Sequence, residues 1–423
     1  MSDVSSLLRH RLQIFDLGFV RLAYLKNDSY LTTAQIFTRV GSSVEKTGEY
    51  GIAHILEHMF FKGSNKRPGG TSIPRAANDI GANMNAYTTY DHTAYYITVL
   101  NDSFEEGFDI LSDMFRNPLF PEEEFRKELN PILSEFRERD DDPDDFINER
   151  AMERYYGAGY HPIIGTEQSI LAATTVDMHA FKKRYYGAGN VLIVIVGGVE
   201  EDRMMKTVQQ HFSDLPKALA PEFPRLQATS ADMELTRSGI QEAYFNLYYP
   251  ALPQEHPKRH HEDLMNFILG GSDSSLLFER IREELGLSCY GIYSMISRNE
   301  PFNNLNISCG IDPLEIGILE TEIQRIIMKI CEERIEEHHL KRARASIRTA
   351  LASRSETSKG MASMIALPVL RGETEDPLQK ALRELEEVTI EDIREAAQRT
   401  FSGPRLRAVL LPDAIDSDDE EED

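Results

Sequence analysis

Positive charge, cysteine and long apolar runs are all scarce in this chain. Lysine and arginine number 46 against 70 aspartates and glutamates, a net charge of −24. A nucleic-acid backbone repels such a chain, which argues against that class of partner. Three cysteines in 423 residues cannot build a disulfide framework. Cys289, Cys309 and Cys331 have no C-x-x-C spacing, so buried thiols are their expected state. The opening stretch, MSDVSSLLRHRLQIFDLGF, holds no long apolar run and no Arg-rich, acid-poor leader. Neither a signal peptide nor a membrane anchor is expected, and the expectation is a soluble, cytoplasmic chain. Part of the acidity is local: Asp413 to Asp423 carries eight acidic residues and no basic one, leaving −16 of the −24 for the rest. That tail is expected to be disordered, and the acidic remainder would favour basic or neutral peptides over long range.

What is present is His54-Ile55-Leu56-Glu57-His58, an H-x-x-E-H pattern. On a helix, residues i and i+4 project from one face about one turn apart, so His54 and His58 can close on a single ion. Glu57 lies beside them and can reach a water at that ion's open position. Two imidazoles, a carboxylate and an open position describe a catalytic zinc site, and this residue order is the inverzincin signature. A chance pair of histidines is the competing explanation. Gly51-Ile52-Ala53 before the motif and Met59-Phe60-Phe61 after it make the helix apolar, and buried polar side chains need partners, which a metal supplies.

A third ligand should lie far along the chain. Residues 121–139, PEEEFRKELNPILSEFRER, read as a helix with an acidic start. Glu128 and Glu135 share a face, and Glu135 sits among Ile132, Leu133 and Phe136. Spacing by itself does not choose among Glu128, Glu135 and Glu138.

Residues 51–64, GIAHILEHMFFKGS, resemble the active-site helix and following loop of the M16, or pitrilysin-like, zinc peptidases, in their short single-chain form. Residues 81–96, GANMNAYTTYDHTAYY, are similar to that family's N-A-Y-T segment. The resemblance implies a third ligand at Glu135, which stands 77 residues after His58, and a supporting glutamate seven residues earlier, at Glu128. It implies one zinc per chain held by His54, His58 and Glu135, with Glu57 as general base. It also implies an edge strand that pairs with the peptide backbone, with Asn85 and Ala86 at the contact positions. Residues 277–294, LFERIREELGLSCYGIYS, resemble the family's R/Y element, with Arg282 and Tyr290 in the substrate-binding roles. The arginine-to-tyrosine gap is one residue longer than usual, so an insertion near Cys289 is expected and Tyr293 competes with Tyr290. The alternative for Arg282 is a helix salt bridge with Glu279.

The chain also repeats itself. Thr175 opens a helix that leads to the strand after Asn190, and Thr389 opens a helix that leads to the strand from Leu406, an offset of 214. Thr33-AQIFTRV matches Gln241-EAYFNLYY, and the amphipathic helix after Asn101 matches that after Asp312. This predicts duplicated domains of an α+β class: 1–213 with the metal motif, a proline-bearing linker 214–236, 237–412 with the R/Y element, and the tail 413–423. Each domain is expected to be a mixed sheet with helices on one side. The second half's counterpart of the motif, His260-His261-Glu262-Asp263, is expected to be an exposed helix start. Residues 84–100 alternate and are rich in Thr and Tyr, as a strand should be.

These features predict a zinc metalloendopeptidase that hydrolyses peptides or unfolded segments in a chamber of four such domains. A clamshell homodimer would complete it, and a heterodimer with a related subunit is the alternative. The rival functions are a non-catalytic assembly subunit of the same fold and a peptide-binding module with structural zinc.

Overall fold

The computed structural model describes residues 12–413. The acidic tail beyond Asp413 lies outside the described residues. Among the described residues no helix is long and apolar enough to cross a membrane.

Two mixed sheets organise the described residues. The first has six strands, β1 (Gln13–Asp16), β2 (Arg21–Lys26), β3 (Leu31–Thr38), β4 (Asn83–Thr88), β5 (Thr93–Leu100) and β6 (Val191–Gly197), in the order β1-β2-β6-β3-β5-β4. The second has five, β7 (Ala231–Arg237), β8 (Ala243–Pro250), β9 (Cys289–Arg298), β10 (Asn303–Ile311) and β11 (Leu406–Pro412), in the order β7-β11-β8-β10-β9. Dropping β1, the two orders superpose strand for strand. β2 with β6 and β7 with β11 are the parallel pairs, and the remaining pairs are antiparallel. The duplication is therefore present in the topology. Its offset is 215: Thr174 with Asp177 and Thr389 with Asp392 form identical capping boxes. The cap must stand three residues before its acidic partner, which makes Thr174, not Thr175, the counterpart of Thr389.

Strand β6, VLIVIVG, is buried at every residue, so both faces of its sheet need cover. On one face Ile36, Tyr95, Ile193 and Ile195 pack with the helices Ile52–Phe60, Phe104–Arg116 and Thr175–Tyr185. On the other, Phe37, Ala94, Leu192 and Val194 pack under Met361, Ile365 and Val369 of the helix Ser358–Leu370. In the second sheet Tyr249 meets Phe401 of the helix Ile390–Phe401, while Tyr248, pointing the opposite way, meets Tyr155 and bonds Asn148 of the helix Pro143–Tyr156.

Each sheet thus has its second face covered by a helix from the other half of the chain. Among the described residues the compact units are 12–137, 161–224 and 347–383 on one hand, and 138–160, 225–346 and 384–413 on the other. They differ from the contiguous segments 1–213 and 237–412, because a sheet apolar on both faces recruits whichever apolar helix can reach it. Residues 231–237, mostly assigned to the linker by sequence, form edge strand β7. Residues 84–100 fold as a hairpin of β4 and β5 and not as one strand. Thr89 folds its hydroxyl back on the His92 carbonyl in the turn between them.

Candidate metal centre

The motif helix, Ile52–Phe60, buries Ile52, Ala53, Ile55, Leu56, Met59 and Phe60 in the first core. That packing fixes which side chains are left over. His54 and His58 emerge one turn apart with ring centroids 4.7 Å from each other. Opposite them stands Glu135, on the helix Glu122–Asp141. Pro131 lies in that helix between Glu128 and Glu135 and withholds one N–H from the ladder. Glu135 Oε1 is 3.5 Å from His54 Nε2, and Oε2 is 3.6 Å from His58 Nε2.

These spacings are long for hydrogen bonds. They suit a cation between the groups. Ligand atoms about 2.0–2.1 Å from a tetrahedral ion stand roughly 3.3 Å from one another. Among the described residues, His54, His58 and Glu135 are the His/Cys/Asp/Glu group whose donor atoms converge in this way. A two-imidazole, one-carboxylate set with no thiolate fits zinc with a position to spare.

Further side chains hold this group in place. Glu128, buried, accepts from His58 Nδ1 at 3.0 Å and pairs through its other oxygen with Lys62 Nζ. This fixes His58 with Nε2 turned toward Glu135. Burial would raise the Glu128 carboxyl, but His58 and Lys62 hold it below its ordinary range. Burial would lower His58, yet its hydrogen bond to Glu128 and the facing carboxylates of Glu135 and Glu57 raise it to about 9. Glu135 is held well below the usual carboxylate range by the two imidazoles. A metal held at this place would take the position of the His58 Nε2 proton. Glu128→Gln should therefore weaken zinc binding by about 10–100-fold, read by competition with a chelating dye. An unchanged affinity would remove Glu128 from the support of the site.

Glu57 is half-buried, and Thr88 Oγ1, at the end of β4, donates to its Oε2 at 2.7 Å. Neither Thr88 nor Lys62 was picked out from sequence, although both lie in the quoted N-A-Y-T and F-F-K-G-S strings. Nothing in a spacing rule says that either touches a glutamate. A third residue had no signal at all: Glu45, buried, accepts from Gly51 N at 2.7 Å and Ala53 N at 2.8 Å at the start of the motif helix.

Asn85 is exposed on β4, its Oδ1 accepting from Ala86 N, while Ala86 faces the core. Among the described residues β4 ends its sheet, with β5 as its one neighbour. In the second unit β9 likewise ends its sheet. Arg282 Nη1 donates to the Cys289 carbonyl at 2.6 Å, and Glu279 pairs instead with Arg342, so the helix salt bridge is not formed. Tyr290 and Tyr293 pair with Gly310 and Ser308, across a bulge where Gly291 takes φ +69°. The extra residue places both tyrosines on one exposed face, where three-residue spacing in a regular strand would have set them on opposite faces.

Two expectations need correction. His260 and Glu262 are buried, not an exposed helix start. His260 pairs with Glu384 and Asp263, and Glu262 accepts from Leu252 N, Thr400, Arg298 and Arg399. A buried charge is tolerated when fully partnered, and these partners come from distant segments. Cys289 and Cys309 are buried as expected, whereas Cys331 is half-buried.

Known proteins resemble this chain in sequence and in fold. Residues 22–162 match the family model described as insulinase (peptidase family M16). Residues 172–347 match that of the peptidase M16 inactive domain. An uncharacterized zinc protease of Rickettsia felis is 28% identical over 94% of this chain and 96% of its own length. One of Bacillus subtilis is 28% identical over 93% and 96%. Among solved structures, a protease from Helicobacter pylori superposes with a TM-score of 0.88 at 20% identity, over 96% of this chain and 100% of that one. A peptidase M16 inactive domain protein from Pseudomonas fluorescens does so with a TM-score of 0.88 at 18% identity, over 96% and 98%. With one sheet carrying the H-x-x-E-H helix and a second sheet of the same strand order lacking it, the chain belongs to peptidase family M16.

Proposed function

We propose that this chain is a zinc-dependent endopeptidase acting on extended peptides or unfolded segments. The observation that carries the proposal is the convergence of His54, His58 and Glu135 beside a glutamate, Glu57, that is held by its own hydrogen bond. His54 and His58 through Nε2, and Glu135 through its carboxylate, would hold one zinc. When bound, the ion supplies Lewis acidity, lowering the pKa of water and polarising a peptide carbonyl. Glu57 then acts as general base: Oε1 takes a proton from the attacking water while Thr88 keeps Oε2 oriented, and the same carboxyl returns it to the leaving amine. Glu128 and Lys62 keep His58 in the tautomer that presents Nε2.

Main-chain pairing along the open edge of β4, past Asn85 and Ala86, would hold a peptide of almost any sequence in extended form. A homodimer would supply four such domains around a chamber, and a heterodimer with a related subunit is the alternative assembly. An assembly subunit without catalysis has no use for an oriented Glu57, and structural zinc normally fills its fourth position with a protein ligand. The test is peptide-library hydrolysis with and without chelator, combined with metal analysis. Zinc-loaded protein that cleaves nothing would end the proposal.

Thr88→Val keeps the shape of the side chain and removes the donor to Glu57. A hydrogen bond to a charged group contributes enough that kcat should fall about tenfold or somewhat more, with zinc content unchanged. An unaltered kcat would show that Glu57 needs no such support.

Arg282→Ala should lower kcat/KM by about 100-fold, as a misplaced contact does, and leave zinc bound. Arg282→Lys should recover little, because lysine lacks the planar fork that reaches the Cys289 carbonyl and retains donors for a peptide. Mixing Glu57→Gln chains with Arg282→Ala chains would restore activity if Arg282 serves its partner's centre. Full activity of Arg282→Ala by itself would refute a role in substrate binding.

A further inference from the structure

The helix that carries both candidate histidines begins without a cap of its own. Gly51, its first flanking residue, takes φ +87° and has no side chain to accept from the helix N–H groups, and the first turn holds no acidic residue. A larger residue has no room there: a Cβ on Gly51 would stand 2.4 Å from the Ile164 carbonyl oxygen, and one on Gly165 would stand 2.5 Å from that of Tyr50. The usual Ser, Thr, Asp or Asn cap is thereby excluded by contact with the 161–165 loop.

Glu45 replaces it from six residues upstream. Its Oε2 accepts from Gly51 N and its Oε1 from Ala53 N, while Ile52 N is taken by the Glu49 carbonyl. The carboxylate is fully enclosed, and the His161 ring, stacked on Tyr50 at 4.1 Å, closes over it with Nδ1 3.7 Å from Oε2. His161 donates instead to the Pro162 carbonyl. The first N–H groups of a helix lack partners within it, and both Glu45 oxygens accept from them; these bonds work against the rise that burial imposes on the Glu45 carboxyl. His54 is the third residue of this helix, within the turn so held, and His58 lies a full turn further in. The two Nε2 atoms keep their common focus only while the first turn stays wound.

Resting on the metal-centre reading above, we infer that Glu45 is a positioning residue for that centre, holding His54 in register with His58 and Glu135 through the helix backbone. It touches neither metal nor substrate.

Glu45→Gln tests this. The amide can accept from one backbone N–H but sets its own N–H groups against the other. The expected result is a folded protein whose zinc affinity falls about tenfold, as for loss of other supporting groups. The visible absorption of its cobalt(II)-loaded form should change in position and intensity, because the geometry about the ion has changed. Thr357→Ala is the control. It removes the cap of the helix Ser358–Leu370 on the opposite face of the same sheet, and should leave zinc affinity and the cobalt spectrum as in wild type. A folded Glu45→Gln protein with wild-type affinity and spectrum would overturn the inference. So would rapid hydrogen exchange at Gly51 and Ala53 in the wild-type protein, a measurement that stands even if the variant does not fold. Wild-type protein that binds cobalt but cleaves no peptide would defeat the peptidase reading and leave Glu45 to be judged on the spectrum. Wild-type protein that binds neither ion would overturn both.

Discussion

Glu57→Gln is expected to keep its metal and to lose peptide hydrolysis by about 100- to 10,000-fold. The substitution changes little in shape, and Thr88 Oγ1 can still donate to the amide oxygen. The groups that would hold the metal, His54, His58 and Glu135, and the Glu128–Lys62 pair behind them are untouched. What is lost is the capacity to accept a proton. Purified wild-type and variant proteins should therefore show equal zinc by mass spectrometry and very unequal turnover of one peptide. Because Thr88 acts only through Glu57, adding Thr88→Val to Glu57→Gln should cost nothing further, a non-additivity typical of groups that work as a unit. Comparable turnover by both proteins, once a contaminating protease is excluded, would remove Glu57 from the chemistry.

Glu135→Gln should lose zinc outright, while Glu138→Gln should keep it. Glu135 places one oxygen near each imidazole nitrogen, so neutralising it removes both a charge and a coordinating atom from the group. Glu138, one turn further along the same helix, is exposed. The loss at Glu135 should exceed the roughly 10–100-fold weakening expected at Glu128, which supports His58 without meeting the ion. Metal content after gel filtration, followed by a zinc competition titration, ranks the three variants. Retention of zinc by Glu135→Gln together with its loss from Glu138→Gln would reverse the assignment.

Much of this molecule is readable because its determinants are local. The four-residue spacing of His54 and His58 becomes a shared helix face by the geometry of the α-helix alone. The capping boxes at Thr174 and Thr389 lie within three residues of their partners, so the duplicated helix-then-strand units, and with them the two-sheet α+β class, are legible as patterns. Glu135 is an intermediate case. The residue pattern left three glutamates open, and only the family resemblance singled one out before the structure brought it opposite the histidines.

Other features depend on contacts between segments that no spacing records. The bulge at Gly291 that turns Tyr290 and Tyr293 to one face is defined only against β10. The buried ion pairs of His260 and Glu262 draw their partners from residues 298, 384 and 399, so a charged sequence that reads as surface is interior. Helix Ser358–Leu370 covers the first sheet and helix Pro143–Tyr156 packs on the second, because sheets apolar on both faces accept any apolar helix the chain can deliver. Local sequence by itself determined the chemistry of the motif and the repeat that carries it. Tertiary structure decided what holds that chemistry still: Lys62 and Glu128 behind His58, Thr88 on Glu57, and Glu45 at the head of the helix. Those partners are matched by position in space, and the packing of the core sets that position.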